Sequence, residues 1–343
     1  MAEKQIKTRV ISVEKQEPFY KKFLSWDAMI IFLFLIINII NINLTSNYLN
    51  AMNLSNTCKM FLDKGIVAFP MMMVLLLGEI DISVASIIAL TGTVMGLAAS
   101  HGANMLVVML VGIGVGALCG FINGFLITRF TELSSTIITL GTEILYRGIA
   151  WMILENNAYV LWPGTMQKFS WGGVGNVPYI LIVFIVEAII FGYVIHFTKF
   201  GRSLYAMGKN NNASLYSGIR TDRIKVLVFT LTGAFSGLAS IFLCSKLGSA
   251  RANMAMNYEM DIIAMVILGG VSVSGGVGNV LGVVFSVFVV GLLRYGLGLV
   301  NVSSEIIMII IGAMLIVPVA IPNLKQFANE SWLVEKLHKS RGN

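Results

Sequence analysis

Glu79 and Asp81 stand two residues apart within Leu75–Ile88, LLLGEIDISVASII, one of the most apolar stretches of the chain. A carboxylate facing lipid at mid-helix costs about 2.5–3.5 kcal/mol on insertion scales, so this placement calls for a partner, a turn or a pathway. Three chemistries fit. As helix caps, Asp81 or Ser83 would accept from the free N–H groups of a helix starting near Ile82. As pathway residues, ionised Glu79 and Asp81 would accept hydrogen bonds from the hydroxyls of a passing solute. As proton carriers, they would couple transport to a proton gradient. Other ionisable groups also fall in apolar runs. Glu143 and Arg147 are four apart in the favoured order for a helical pair, whereas Glu187 and Arg294 have no partner that spacing reveals, and Glu259 and Asp261 open another run. Three histidines and three cysteines are dispersed, so neither a metal cluster nor a disulfide framework is expected.

The elements that must position these groups are read from composition. The 343 residues are 57% hydrophobic and 12% charged, about half the charge of a soluble domain. With a mean hydropathy of +0.83, that composition describes a polytopic membrane protein. Spans are expected near 26–44, 60–78, 82–100, 104–127, 132–154, 178–197, 223–246, 258–272, 276–299 and 304–321, the first being a helix and not a cleaved leader. Basic residues choose between one pass and two over 65–100. The arm 1–25 holds six Lys/Arg, and the loop after the sixth run holds six more: Lys199, Arg202, Lys209, Arg220, Arg223 and Lys225. Both should face the cytoplasm, so an even number of spans must separate them, which requires two passes. The expected fold is all-α, about ten transmembrane helices with broken or re-entrant segments and both termini cytoplasmic. It divides into the arm 1–25, a membrane domain 26–321 and a tail 322–343. The net charge of +7 follows from these basic inner loops and does not imply a nucleic-acid partner.

Gly112, Gly116, Gly120 and Gly124 recur every four residues and make a smooth helix ridge suited to close packing within the chain. LLLGEIDIS (75–83) can be laid over VILGGVSVS (266–274), which pairs Gly78 with Gly269 and Ser83 with Ser274. Gly270 and Ser272 then stand opposite Glu79 and Asp81. Gly-interrupted segments at matching places point to discontinuous helices beside a transport path, so Glu79, Asp81, Ser83, Gly269, Gly270, Ser272 and Ser274 are its candidate residues.

Five blocks resemble the permease subunits of bacterial ribose-type ABC sugar importers. They are GEIDISVASIIALTG (78–92), FINGFLITRF (121–130), LGTEILYRGIA (140–150), FGRSLYAMGKNNNASLYSGI (200–219) and the stretch from ARANMAMNYEMD to LGGVSVSGGVGNVLG (250–282). Glu79 replaces the glycine usual in the first block, and Val271 and Val273 replace a threonine and a leucine in the last. The resemblance implies that 200–219 is the ATPase-docking loop, with Ala206, Gly208, Asn210, Ala213, Ser217, Gly218 and Ile219 at the matching positions and Arg202 and Lys209 as added polar contacts. It implies a cytoplasmic ATP-binding subunit, a second permease copy or partner, an extracytoplasmic sugar-binding protein, and residence in the bacterial inner membrane among lipid. The chain itself has no phosphate-cradling Gly-x-x-x-x-Gly-Lys-Ser/Thr loop and no nucleophile elbow, so it should be no enzyme and should need no cofactor. The expected cargo is a monosaccharide or similar polyol. A furanosyl signal molecule, a nucleoside or a branched-chain amino acid stays open within that machine, as do a proton-coupled transporter and a passive channel outside it.

Overall fold

The computed structural model describes residues 26–45, 48–155, 157–160, 165–303, 305–314 and 316. The basic arm 1–25, the end of the last expected span and the tail 322–343 lie outside them. The helices are α1 (Trp26–Leu44), α2 (Ala51–Leu76), α3 (Val84–Ser100), α4 (Met105–Arg129), α5 (Ser135–Leu154), α6 (Thr165–Trp171), α7 (Tyr179–Phe197), α8 (Lys199–Lys209), α9 (Asn211–Tyr216), α10 (Thr221–Leu247), α11 (Tyr258–Leu268) and α12 (Val280–Leu299). A shorter apolar helix follows at Glu305–Met314. Five of these, α4, α5, α7, α10 and α12, are long and apolar enough to cross a membrane.

Residues 65–100 form two helices broken at 77–83, not one long segment. The run expected over 258–272 yields only the 11 residues of α11, about 16 Å of rise against a bilayer core of about 30 Å. It is a broken segment. The irregular stretch before it turns through left-handed Ala255 and Asn257.

Burial follows side-chain type. From Phe61 to Leu76 every residue of α2 is buried, and from Gly65 onward the helix is apolar on all sides, as the central helix of a bundle must be, while Asp63 and Lys64 are buried in ion pairs. On α7, Ile180, Phe184, Glu187, Phe191 and Ile195 face inward while Ile189, Ile190, Tyr193 and Phe197 are exposed. Outward apolar faces of this kind suit lipid, not water. The glycine ridge of α4 lies along α10: a Cβ at Gly116 would strike the backbone of Gly233 and Gly237, and one at Gly120 that of Phe229 and Gly233. The close packing is therefore within the chain.

The connection 155–177 is structured where described. Strand β1 (Tyr159–Val160) pairs with β4 (Ser249–Ala250), and β2 (Gly173–Val174) pairs with β3 (Val177–Pro178), both antiparallel. Arg147 supports this region from α5. It lies 3.7 Å from Glu143 and donates to the carbonyls of Ala252 and Met254 at 3.1 and 2.8 Å.

Candidate functional site

Helix α8 is amphipathic, with Gly201, Leu204 and Met207 buried and Arg202 and Lys209 exposed. Thr198 caps it by accepting the Gly201 amide at 3.3 Å. Asn210 ends it and starts α9, its side-chain oxygen accepting the Ala213 amide at 2.9 Å. The Ser-Gly-Ile triplet then stops α9. Gly218 takes φ +83°, its amide reaches the Leu215 carbonyl at 3.0 Å, and the Ile219 amide reaches Ser214 at 3.1 Å. That is a Schellman cap, which needs a residue at ease with positive φ. Ser217 braces it by donating to the Ala213 carbonyl at 2.8 Å. Asn210, Ser217, Gly218 and Ile219 thus shape a helix–turn–helix element, whose outer surface carries Leu215 and the 91%-exposed Tyr216.

The inner face of α8 sits in a notch made by two turns, 77–83 and 269–279. The Gly276 amide donates to the Leu76 carbonyl at 2.9 Å, which joins the turns through their backbones. Gly208 lies against this bond, and a Cβ there would run into the Leu76 oxygen and the Gly276 amide. Tyr205 closes one side, its hydroxyl donating to the Gly278 carbonyl at 2.8 Å, and burial raises its pKa. Ala206 is half-buried on the same helix, and its carbonyl accepts the Asn210 amide at 3.0 Å.

The two turns share one geometry. After α2, the Gly78 amide bonds Leu75 O and the Glu79 amide bonds Val74 O. After α11, the Gly270 amide bonds Ile267 O and the Val271 amide bonds Val266 O. Both are Schellman caps closed by a left-handed glycine, Gly78 at +75° and Gly270 at +84°. Structural equivalence therefore pairs Gly78 with Gly270 and Glu79 with Val271, one residue away from the match by residue type. The reason is that the cap fixes the register, while small and aliphatic side chains fit either alignment.

The first turn is bound on all sides. Ile80 and Ile82 donate their amides to Ser135 Oγ and Thr139 Oγ1 of α5, each at 3.2 Å. Glu79 forms an ion pair with Lys225 at the start of α10. Asp81 is fully buried, and its Oδ1 accepts the Ser83 amide and hydroxyl at 2.9 and 2.6 Å. The chain continues as Asn123 Nδ2 donates to Ser83 Oγ at 2.7 Å and Tyr146 OH to Asn123 Oδ1 at 3.0 Å. Burial pushes the Asp81 carboxyl up to about 6, against the opposing pull of the two Ser83 bonds. In the second turn, Gly269 packs on Val283 and Gly270 against the Trp26 ring, while the Ser272 amide bonds Val277 O and Ser272 Oγ accepts the Ser274 amide.

The residues expected to dock a partner and those expected to line a path are thus brought together at one end of the bundle. Sequence reasoning missed Lys225, Asn123, Tyr146, Leu76, Gly276 and the exposed pair Leu215 and Tyr216. Only Asn123 carried a local sign, a lone amide in a glycine-rich apolar helix.

Residues 53–319 match the family described as branched-chain amino acid transport system, permease component. The ribose import permease protein RbsC of Bacillus subtilis (strain 168) is 33% identical over 85% of this chain and 91% of its own length. The protein of the same name from Escherichia coli (strain K12) is 32% identical over 92% and 99%. The autoinducer 2 import system permease protein LsrD of Escherichia coli O9:H4 (strain HS) is 34% identical over 76% and 80%. No solved structure matches the chain. A family match across most of the chain, and relatives aligned over nearly their whole length, place it plainly: the chain belongs to this family of membrane permease components.

Proposed function

We propose that the chain is the transmembrane permease subunit of an ATP-driven importer for a monosaccharide or similar polyol, and that α8 and α9 receive its cytoplasmic ATPase. The observation that carries the coupling role is the seat of Gly208 against the Leu76–Gly276 backbone bond. At Gly208 the backbone of α8 meets the backbone of both turns with no side chain between, so a push on α9 moves the ends of α2 and α11 as a rigid body. Tyr216 and Leu215 offer the ATPase an apolar contact beside the charges of Arg202 and Lys209. Glu79, Asp81, Ser83, Gly269, Gly270, Ser272 and Ser274 then belong to the inner gate of the path, where Glu79 and Lys225 tie the first turn to α10. The full arrangement is about ten spans across 26–321 with the arm 1–25, the loop 200–219 and the tail 322–343 in the cytoplasm, in the bacterial inner membrane. A second permease and an extracytoplasmic sugar-binding protein complete it. The relatives named for ribose and for autoinducer 2 support a sugar or a furanosyl signal molecule as cargo.

The test is reconstitution with the partner subunits. Tyr216→Ala should weaken ATPase association at least several-fold. Gly208→Ala should leave the ATPase bound but separate hydrolysis from uptake. Normal association and normal uptake in both variants would remove α8 and α9 from the coupling role. Uptake that ignores a dead ATPase and follows a proton gradient would replace the importer by a secondary transporter.

A further inference from the structure

Away from α8, the bundle buries a second set of charges. Lys64 sits on α2 twelve residues before Leu76, about 18 Å along the helix. Its ammonium pairs with Asp261 at the start of α11 and lies 4.2 Å from the centroid of the Tyr258 ring. Arg294 of α12 sets Nη2 at 2.8 and 2.9 Å from the two oxygens of the same carboxylate. Beside them Lys246 pairs with Asp63 at 2.7 Å, and the Tyr258 hydroxyl donates to Asp63 at 3.3 Å. Within these direct ion pairs three cations face two carboxylates, and Glu259 is the further acid of the region, acting on Asp261 without an ion pair among the described residues. Taking charge out of water is costly, so a cation in excess of the direct pairs calls for a reason.

The surplus falls on Arg294. Asp261 is shared by two cations from two helices, so Lys64 still neutralises it if Arg294 turns elsewhere. Only Nη2 of Arg294 is engaged, which leaves Nε and Nη1 without a protein partner among the described residues, and 34% of the side chain is accessible. Arg294 also lines two cavities and is the one residue common to both. The first, of 410 Å³, adds Asn53, Asn56, Thr57 and Tyr295, and the second, of 330 Å³, adds Lys64, Asn257, Tyr258 and Asp261. These volumes lie at the small end of ligand sites, roughly 300–1,000 Å³. The first turn of α11, which carries Glu259 and Asp261, opens on the second cavity, and Asn257 before it makes no side-chain cap.

We propose that these cavities form a solute chamber inside the membrane domain, in which Arg294 hydrogen-bonds the oxygens of a small polyol while Lys64 keeps Asp261 neutralised. A planar guanidinium spans two neighbouring oxygens, which an ammonium does not. The nature of the solute rests on the importer reading above; the chamber and its charge do not.

The experiment uses the full chain in sealed membrane vesicles, with Cys58→Ser to remove a partly accessible thiol and Met260→Cys as reporter on the wall of the second cavity. Modification rates are compared for two membrane-impermeant thiosulfonates, one bearing a sulfonate and one an ammonium. The sulfonate reagent should react several-fold faster, and Arg294→Gln should abolish that preference while Arg294→Lys keeps it. No reaction with either reagent, or the same ratio with glutamine at 294, would overturn the chamber. With the ATPase present, D-ribose is the uptake probe. Arg294→Gln should raise the half-saturating concentration about tenfold with ATP hydrolysis retained, and an unchanged value would remove Arg294 from solute contact. If the parent protein takes up no ribose under ATP, the importer reading suffers while the labelling result stands on its own.

Discussion

Asp81 takes both Ser83 hydrogen bonds through one oxygen, and its other oxygen has no partner among the described residues. A fully buried carboxyl in that setting holds its proton more tightly in the folded protein than in the unfolded chain. With a folded value of about 6 against a usual 3.8, its contribution is most favourable below about pH 4 and is lost as pH rises through 6. The difference is worth about 3 kcal/mol across that window. Asp81→Asn keeps the oxygen that Ser83 needs and removes the charge. It should therefore gain in thermal stability relative to the parent at pH 7.5, with the advantage gone at pH 4, measured by unfolding in detergent. A variant that loses more stability at pH 7.5 than at pH 4 would mean that the carboxylate has a countercharge. Of the three chemistries open to Asp81 from sequence, the geometry comes nearest the first: its Oδ1 accepts the Ser83 amide just ahead of α3, while Ser83 at the N-cap makes no side-chain cap bond. Glu79 differs, since its partner Lys225 lies 146 positions along the chain, and no local pattern could name it.

Between helices, α4 and α10 test how far the glycine spacing governs packing. A leucine at Gly120 would have to displace the Phe229 carbonyl and the Gly233 backbone, and overpacking of that kind costs about 1–3 kcal/mol or more. Gly114 on the same helix faces open space. Gly120→Leu should thus lower thermal stability clearly, whereas Gly114→Leu should be neutral or stabilising by up to about 1 kcal/mol from helix propensity. Equal effects at the two sites would dissociate the ridge from packing. This ridge was legible because its period is that of the helix itself. The break at 77–83 was legible from charge alternation. The one-residue register of the paired turns was not, because capping hydrogen bonds between backbone atoms leave no mark on side-chain type beyond the glycine. The contact of Gly208 with Leu76 and Gly276 is likewise a meeting of backbones, invisible to any pattern of residues. The charge cluster around Asp261 escaped for another reason: its members come from four separate helices, and spacing speaks only for neighbours on one.

Across the whole molecule, the distribution of basic residues makes a prediction about sidedness. Lys209 at the end of α8 and Lys168 on α6 are both exposed, and the charge alternation assigns them to opposite faces. In a background without the native cysteines, Lys209→Cys should react with an impermeant reagent only from the cytoplasmic side and Lys168→Cys only from the outside. Labelling of both from one side would break the even-span rule and the ten-helix arrangement with it. The same asymmetry bears on synthesis. The notch that seats α8 is closed by a bond between Leu76 and Gly276, about 200 residues apart. At about 5–20 residues per second, Gly276 is made roughly 3–14 s after Gly208. During that interval a growing chain carries the residues of α8 and α9 but has no finished seat to press them into. On the docking role proposed for α8 and α9, an ATPase that arrived early would meet an element with nothing to push against, so the order of translation by itself would keep half-built permeases idle.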